Sequence, residues 1–209
     1  DIGAHIGGTA LIMARCVGSS GTVWAFEPNP TCFKQLEIAA SSAWRNNVRT
    51  LPLALSDYHG VVTLMIDQRE GSPASTILPN HAERERQMHS AYYLPLKVQA
   101  TTLDKFCSEH AIAPTLLKID VEGAEETVIR GGKGIIATHR PLIWFECWCG
   151  HGNGVPINEN LRHVEQLSAA GYSLFLATVF KIDQVWITGD DPANPTQLLP
   201  LKKRELLQL

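Results

Sequence analysis

Acids and glycines at defined spacings are the residues of this chain best suited to chemistry. The chain reads Asp1-Ile2-Gly3-Ala4-His5-Ile6-Gly7-Gly8 at its start, an acid leading a glycine-containing turn. Glycine reaches positive φ and lets a backbone come close to a ligand, because no Cβ stands in the way. Glu27 follows Gly3 by 24 residues and closes the apolar run Val23-Trp24-Ala25-Phe26. In a βαβ nucleotide-binding unit, an acid about 20 residues past the turn, at the end of the second strand, holds ribose hydroxyls. Two parts of an adenosine site are therefore present. A turn of this kind should follow a buried strand, so the expectation is that the N-terminal strand is truncated.

More acids fall where strands should end: Asp57, the group Asp120-Val121-Glu122-Gly123-Ala124-Glu125, and Glu146. Ligands of an open α/β sheet collect beyond the carboxyl ends of its strands. A carboxylate buried there needs a partner, so converging acids suggest binding or catalysis. Plainer readings stand beside these. Glu146 suits a helix cap or a pair with Lys118 or Arg140, and Glu125 suits a first helical turn, where the macrodipole favours an acid. The spacing D-x-G-x-x-x-G also differs from the G-x-G-x-x-G of a dinucleotide site. A leading carboxylate repels a pyrophosphate but can organise a turn around a cationic amino-acid moiety. That favours S-adenosylmethionine, which carries an ammonium and a sulfonium, over NAD.

Alternating helix and strand patterns position these residues and predict an α/β fold with a mostly parallel sheet. Gly8–Val17 reads as a helix and Thr22–Glu27 as a buried strand. Asn29-Pro30 supplies an N-cap and a proline at the first helical position. Val48–Leu55 reads as one strand, Val61–Ile66 and Leu96–Thr101 as two more, and Leu103–His110 as a short helix. The polar stretch 68–93 reads as a solvated helix face or loop. Thr115–Asp120 and Pro141–Cys147 are apolar strands, separated by a helix that breaks near Gly131-Gly132. Asn158 should cap a helix that stops at Gly171. Tyr172–Val179 and Gln184–Ile187 should form an antiparallel edge, and 201–209 a frayed helix. A single domain over residues 1–209 is expected, with 58–101 an insertion able to act as a lid.

The composition is that of a globular protein: 209 residues, 44% apolar and 19% charged. A net charge of −3 argues against a general nucleic-acid or anionic-membrane binder. No apolar run approaches the roughly 20 residues that span a bilayer. Five scattered cysteines do not form a secreted disulfide framework, so a cytoplasmic location is expected. Cys147-x-Cys149-x-His151 lacks the second pair a zinc site needs and reads as a strand end entering a loop.

Asp1–Gly7, Ala25-Phe26-Glu27-Pro28-Asn29-Pro30 and Leu117-Lys118-Ile119-Asp120-Val121-Glu122-Gly123-Ala124-Glu125 resemble the signature blocks of FkbM-type methyltransferases. Ala54-Leu55-Ser56-Asp57, Thr102-Leu103-Asp104 and the Pro141–Glu146 strand extend the resemblance, in order, across residues 1–146. His5 stands where the family pattern has asparagine. The resemblance implies a seven-stranded Rossmann-like class I methyltransferase fold, S-adenosylmethionine as donor and an alcohol oxygen as acceptor. It places Gly3, Ala4 and Gly7 along the methionine part of the cofactor and has Asp1 support that turn or the ammonium. Glu27 would take the ribose hydroxyls, with Pro28 and Asn29 nearby, while Ser56 and Asp57 would border the adenine. Asp120 would stand near the sulfonium methyl and the acceptor.

Methyl transfer to a hydroxyl needs alignment, exclusion of water and a group that orients or accepts the hydroxyl proton. Asp120 and Glu122 are the first candidates for that group, and Glu146 and His151 the second. Hard oxygen ligands such as Asp120, Glu122 and Glu146 also suit magnesium or calcium. Adjacent acids arise for helix capping as well, so no metal ligand is assigned. The resemblance implies an acceptor that is a sugar, part of a glycan or glycolipid, or a secondary metabolite, and 68–93 and the loop 149–157 are expected to select it. A NAD-binding Rossmann oxidoreductase and a non-catalytic S-adenosylmethionine-binding module are the alternatives.

Overall fold

The computed structural model describes residues 1–42, 46–68, 75–89, 92–146, 162–179, 182–188 and 199–200. Its first half runs α1 (Gly8–Cys16), β1 (Val23–Phe26), α2 (Pro30–Ser41), β2 (Val48–Leu51), β3 (Ala54–Leu55), β4 (Gly60–Asp67), β5 (Ser75–Thr76), α3 (Pro79–His89) and β6 (Tyr93–Thr101). The second half follows with α4 (Leu103–Glu109), β7 (Leu116–Ile119), α5 (Glu125–Gly131), α6 (Lys133–His139), β8 (Leu142–Glu146), α7 (Arg162–Ala169), β9 (Ser173–Val179), β10 (Ile182–Thr188) and β11 (Leu199–Pro200). The chain is a mixed α/β protein.

The main sheet is stitched together at its centre by the first three residues. β1 pairs with β2 and β7 with β8, both in parallel. Ile2 bridges in parallel to Phe26 on one side and to Ile119 on the other. The Ile2 N–H donates to the Lys118 carbonyl at 2.9 Å, and its own carbonyl accepts from the Asp120 N–H at 3.0 Å. On the other edge the Phe26 N–H donates to the Asp1 carbonyl at 2.9 Å. The order is thus β2, β1, Ile2, β7, β8, β10, β9, β11, with β10 antiparallel to both β8 and β9. This matches the expected parallel body and antiparallel edge. Ile2, Ile119, Ile143 and Phe145 are 0–2% exposed. Each such side chain contributes about 1.5–3 kcal/mol of hydrophobic stabilisation.

The expected single strand Val48–Leu55 is two strands. Pro52 lies between them and has no N–H for a ladder, so β2 stays in the main sheet while β3 leaves it. β3 opens a second sheet of order β3, β6, β4, β5. There β6 runs parallel to β3 and antiparallel to β4, from Gly60 opposite Ala100 to Asp67 opposite Tyr93. α3 packs Ala82 near Tyr93 and Met65.

The helices follow the local signals. Asn29 caps α2, its side chain accepting from the Thr31 N–H at 3.0 Å with Pro30 in the first turn. Gly7 precedes α1 at φ 96°, and a Cβ there would sit 2.9 Å from Leu36 Cδ1, so this glycine lets α1 and α2 approach. Thr102 caps α4 by accepting from the Lys105 N–H at 3.1 Å. Asp104 accepts from the N–H groups of Gly134 and Ile135 at the start of α6. Cys32 and Cys107 are buried thiols pushed up to about 11 by that burial, which makes them packing residues rather than nucleophiles.

Candidate active site

A cleft open to solvent lies beyond the carboxyl ends of the central strands. The first turn contributes Ile2, Gly3 and His5, and the end of β1 contributes Phe26, Glu27 and Pro28. Leu53 with Ala54 and Leu55 of β3 forms one apolar wall, and Leu64 of β4, Ser75 of β5 and Ile77 just beyond β5 line another side. Asp120, Val121, Glu122 and Ala124 close it behind β7. Apolar walls with a few convergent polar groups are the usual make-up of a small-molecule site.

Glu27 is 6% exposed, and the backbone fixes both of its oxygens. Oε1 accepts from the Asn29 N–H and Oε2 from the His5 N–H, each at 2.8 Å. Burial raises its carboxyl above the usual range, and the two backbone donors and Lys118 oppose that rise. A carboxylate oxygen has more than one lone pair, so both oxygens keep capacity for a ligand hydroxyl. The turn that brings the His5 N–H to Glu27 puts His5 itself at φ 50°. Histidine, like asparagine, is among the non-glycine residues enriched in that left-handed region. The His5 imidazole is held below its usual range, by burial first and Lys118 second, with Asp120 acting the other way.

Lys118 underlies the first turn and is 5% exposed. Its ammonium donates to the Gly3 carbonyl at 2.8 Å and lies 3.2 Å from Asp1 Oδ1 and 3.4 Å from Asp120 Oδ2. Gly3 has φ 77°, and a Cβ on it would fall 1.7 Å from the Asp120 carbonyl oxygen. This glycine is therefore required by the close approach of two protein backbones, whatever ligand the turn meets.

The loop after β7 is a second left-handed turn. Glu122 has φ 53° and Gly123 φ 91°. Glu125, 5% exposed, accepts at Oε1 from the Val121 N–H at 3.1 Å and the Gly123 N–H at 3.3 Å. Its carboxyl is pushed up to about 7, first by burial, with the backbone donors opposing and the Asp120 charge adding. Glu125 stands at the first position of α5, as a first-turn acid should, but its side chain turns back to hold the loop that carries Glu122.

Of the residues singled out from sequence, Gly3, Glu27, Pro28, Asp120 and Glu122 line one cleft. Asp1, Ala4, Gly7 and Asn29 lie behind it: Asp1 is buried against Lys118, Ala4 is core, and Asn29 caps α2. Ser56 and Asp57 are directed elsewhere. The Ser56 hydroxyl accepts from the Tyr58 N–H at 3.0 Å, and Asp57 pairs with Arg130 at 2.7 Å. Glu146 ends β8 opposite Gln184. His151, the 147–151 cysteine–histidine run, Asn158, the loop 149–157 and 201–209 lie outside the described residues. His5, Ser75 and Ile77 are cleft residues to which the sequence pattern gave no role. For His5 the signal was its place inside the first turn; Ser75 and Ile77 carried none. Among the described residues no three histidine, cysteine or acidic side chains are grouped to hold a metal, and no helix is long and apolar enough to cross a membrane.

A mixed, mainly parallel sheet with a cleft at the carboxyl ends of its central strands, lined by a glycine turn and a buried glutamate, defines an α/β protein whose strand ends are the place where such sheets collect ligands. Residues 1–174 match the methyltransferase FkbM domain, and the chain belongs to that family. The 2-O-methyltransferase NoeI of Sinorhizobium fredii (strain NBRC 101917 / NGR234) is 26% identical over 152 residues, which is 67% of this chain and 59% of that protein. The crystal structure of methyltransferase FkbM from Methylobacillus flagellatus KT has a similar fold, with a TM-score of 0.57 at 16% identity over 90% of this chain and 42% of that one. The chain thus spans 59% and 42% of the lengths of these two proteins.

Proposed function

We propose that this domain binds S-adenosylmethionine in the cleft and methylates a hydroxyl of a sugar, a glycan or glycolipid, or a secondary metabolite. The observation that carries the reading is the Glu27 carboxylate, buried at the end of β1 and held at both oxygens by backbone N–H groups. A carboxylate fixed in this way keeps acceptor capacity at both oxygens, which suits a pair of ribose hydroxyls. The strand order, with β10 reversed against β8 and β9, supports a Rossmann-like class I methyltransferase fold. A single domain is the simplest organisation, with the second sheet as an insertion beside the cleft. The relative's description as a 2-O-methyltransferase supports oxygen as the acceptor atom.

The residues present fit this cofactor. Glu27 would hold the ribose, Pro28 and the apolar wall of Leu53–Leu55 would border the base, and Gly3 and His5 would flank the amino-acid end. Asp1 supports the turn through Lys118 instead of entering the cleft. When bound, S-adenosylmethionine supplies a methyl carbon activated by its sulfonium. Asp120 and Glu122, both on the cleft, are the carboxylates placed to orient an acceptor hydroxyl or take its proton. Alignment and water exclusion by the cleft walls would lower the barrier by roughly 7–11 kcal/mol.

Titration with S-adenosylmethionine and with NADH separates this reading from an oxidoreductase. Transfer of labelled methyl to a panel of hydroxylated small molecules and glycans, with and without EDTA, then tests turnover and any need for a divalent ion. Binding of NADH in place of S-adenosylmethionine would overturn the reading. Binding without transfer to any acceptor would leave a non-catalytic module.

A further inference from the structure

We propose that Ser75, on strand β5 of the second sheet, contacts the adenosine half of the cofactor, an inference that rests on reading the cleft as an S-adenosylmethionine site. Ser75 lines the cleft together with Glu27 and Pro28, although 48 residues separate it from Glu27. Its hydroxyl oxygen accepts from Asn29 Nδ2 at 3.2 Å. The other polar groups of Asn29 are already engaged: its N–H donates to Glu27 Oε1, and its Oδ1 accepts from the Thr31 N–H. Asn29 is 5% exposed, so this chain of bonds is anchored on a buried residue and fixes Ser75 relative to Glu27.

A hydroxyl has one donor and two acceptor sites. The bond from Asn29 occupies one acceptor site and leaves the O–H to donate into the cleft. Strand alternation sets the direction of the neighbours. Thr76 is 1% exposed and spends its hydroxyl on the Leu78 N–H at 3.2 Å, whereas Ser75 and Ile77 on either side both reach the cleft. A hydroxyl donor two residues from an apolar side chain, beside a carboxylate that takes vicinal diols, suits a nucleoside, whose base offers ring-nitrogen acceptors and an apolar face. The second sheet thus reads the cofactor through β5, and the role of 68–93 is not confined to the acceptor.

Calorimetric titration with S-adenosylmethionine and with 5′-methylthioadenosine tests this on wild type, Ser75→Ala, Ser75→Thr and Glu27→Ala. Loss of one neutral hydrogen bond should weaken binding of both ligands to Ser75→Ala roughly 2- to 10-fold. Ser75→Thr, which keeps the hydroxyl and suits a strand, should bind like wild type. Wild-type affinity in Ser75→Ala, a loss for S-adenosylmethionine but not for 5′-methylthioadenosine, or a Thr variant as weak as Ala would each overturn the inference. If Glu27→Ala is weakened while Ser75→Ala is not, only the role of Ser75 falls. Should wild type bind neither ligand, the reading of the cleft falls with it.

Discussion

The Lys118 ammonium donates to the Gly3 carbonyl at 2.8 Å, tying the end of β7 to the first turn from beneath. The same ammonium balances Asp1, whose side chain is fully buried, and Asp120, whose side chain is 41% exposed at the cleft. Removing one partner of a buried ion pair leaves the other charge uncompensated, which costs about 3–5 kcal/mol. Lys118→Met should therefore lose stability on that scale in urea unfolding. Asp1→Asn in the Lys118→Met background should cost much less than in wild type, because the orphaned charge is already present. Simple addition of the two losses would show that the pair is not coupled.

Gly3 and Gly8, five residues apart, should respond oppositely to alanine. At Gly3 the new Cβ meets the Asp120 carbonyl oxygen at 1.7 Å in a left-handed backbone, so strands must separate. At Gly8, in the first turn of α1, nothing lies within 4 Å. Gly3→Ala should abolish soluble folded protein or lower its melting temperature severely. Gly8→Ala should be neutral or stabilising by up to about 1 kcal/mol, through lower chain entropy and better helix propensity. Thermal unfolding of the two variants side by side checks the contrast.

How far the sequence reveals this arrangement depends on the range of the interactions involved. Helix α2 is readable because Asn29-Pro30 is a local start signal. The sheet edge of β9 and β10 is readable because its partners are near in sequence. Pro52 is just as local, yet the apolar run around it masks the break that sends Leu51 and Ala54 to different sheets. At the cleft, Glu27 is readable from its spacing to Gly3. Asp57 sits at a strand end like the other acids, but its Arg130 partner comes from 73 residues away, and no spacing rule announces it. Ser75 lies in a polar stretch without periodicity. Only the pairing of β4 with β5, Ile66 opposite Ser75, brings it to the cleft.

Glu27 offers a graded test of the ribose contact. Glu27→Gln keeps one acceptor oxygen but replaces the other with an amide donor facing a backbone N–H, so one of the two positions that would accept a ribose hydroxyl is lost along with one of the 2.8 Å backbone bonds. Glu27→Ala loses both. Hydrogen bonds to a charged group contribute about 1.5–3 kcal/mol each, so affinity for S-adenosylmethionine should fall roughly 10- to 100-fold in the first variant and further in the second. Calorimetry of the folded variants measures this, and equal affinity in all three proteins would remove Glu27 from the site.

The acids after β7 can be assigned separately. Asp120→Asn and Glu122→Gln keep size and polarity but cannot take a proton. With S-adenosylmethionine binding intact, turnover slowed roughly a hundredfold or more in one variant identifies the group that serves the acceptor hydroxyl. Wild-type rates in both would leave alignment alone as the contribution of this loop.

Two buried groups should give the protein opposing pH dependences. Glu125, ordinarily near 4.5, is pushed up to about 7, so between these values the native state holds a proton that the unfolded chain has released. Its contribution is present below pH 4.5 and is lost as pH rises to about 7. His163 is 5% exposed, stacks edge-on to Phe145 at 4.8 Å and has no hydrogen-bond partner for Nε2 among the described residues. Burial lowers it from 6.5 to about 4, so its contribution is present above pH 6.5 and is lost as pH falls to about 4. Each slope approaches about 1.4 kcal/mol per pH unit, and the two have opposite signs where their windows overlap. Wild-type stability should therefore gain little net slope from this pair between pH 4.5 and 6.5. Glu125→Gln retains an oxygen acceptor for the Val121 and Gly123 N–H groups, as the protonated acid does, and abolishes the titration. That variant should become steadily more stable from pH 4 to 6.5, and His163→Leu should become steadily less stable from pH 4.5 to 7. Urea unfolding at half-unit intervals reads both slopes. Parallel curves for wild type and Glu125→Gln would mean that the Glu125 carboxyl titrates alike in the folded and unfolded chain, its two backbone donors offsetting the cost of burial.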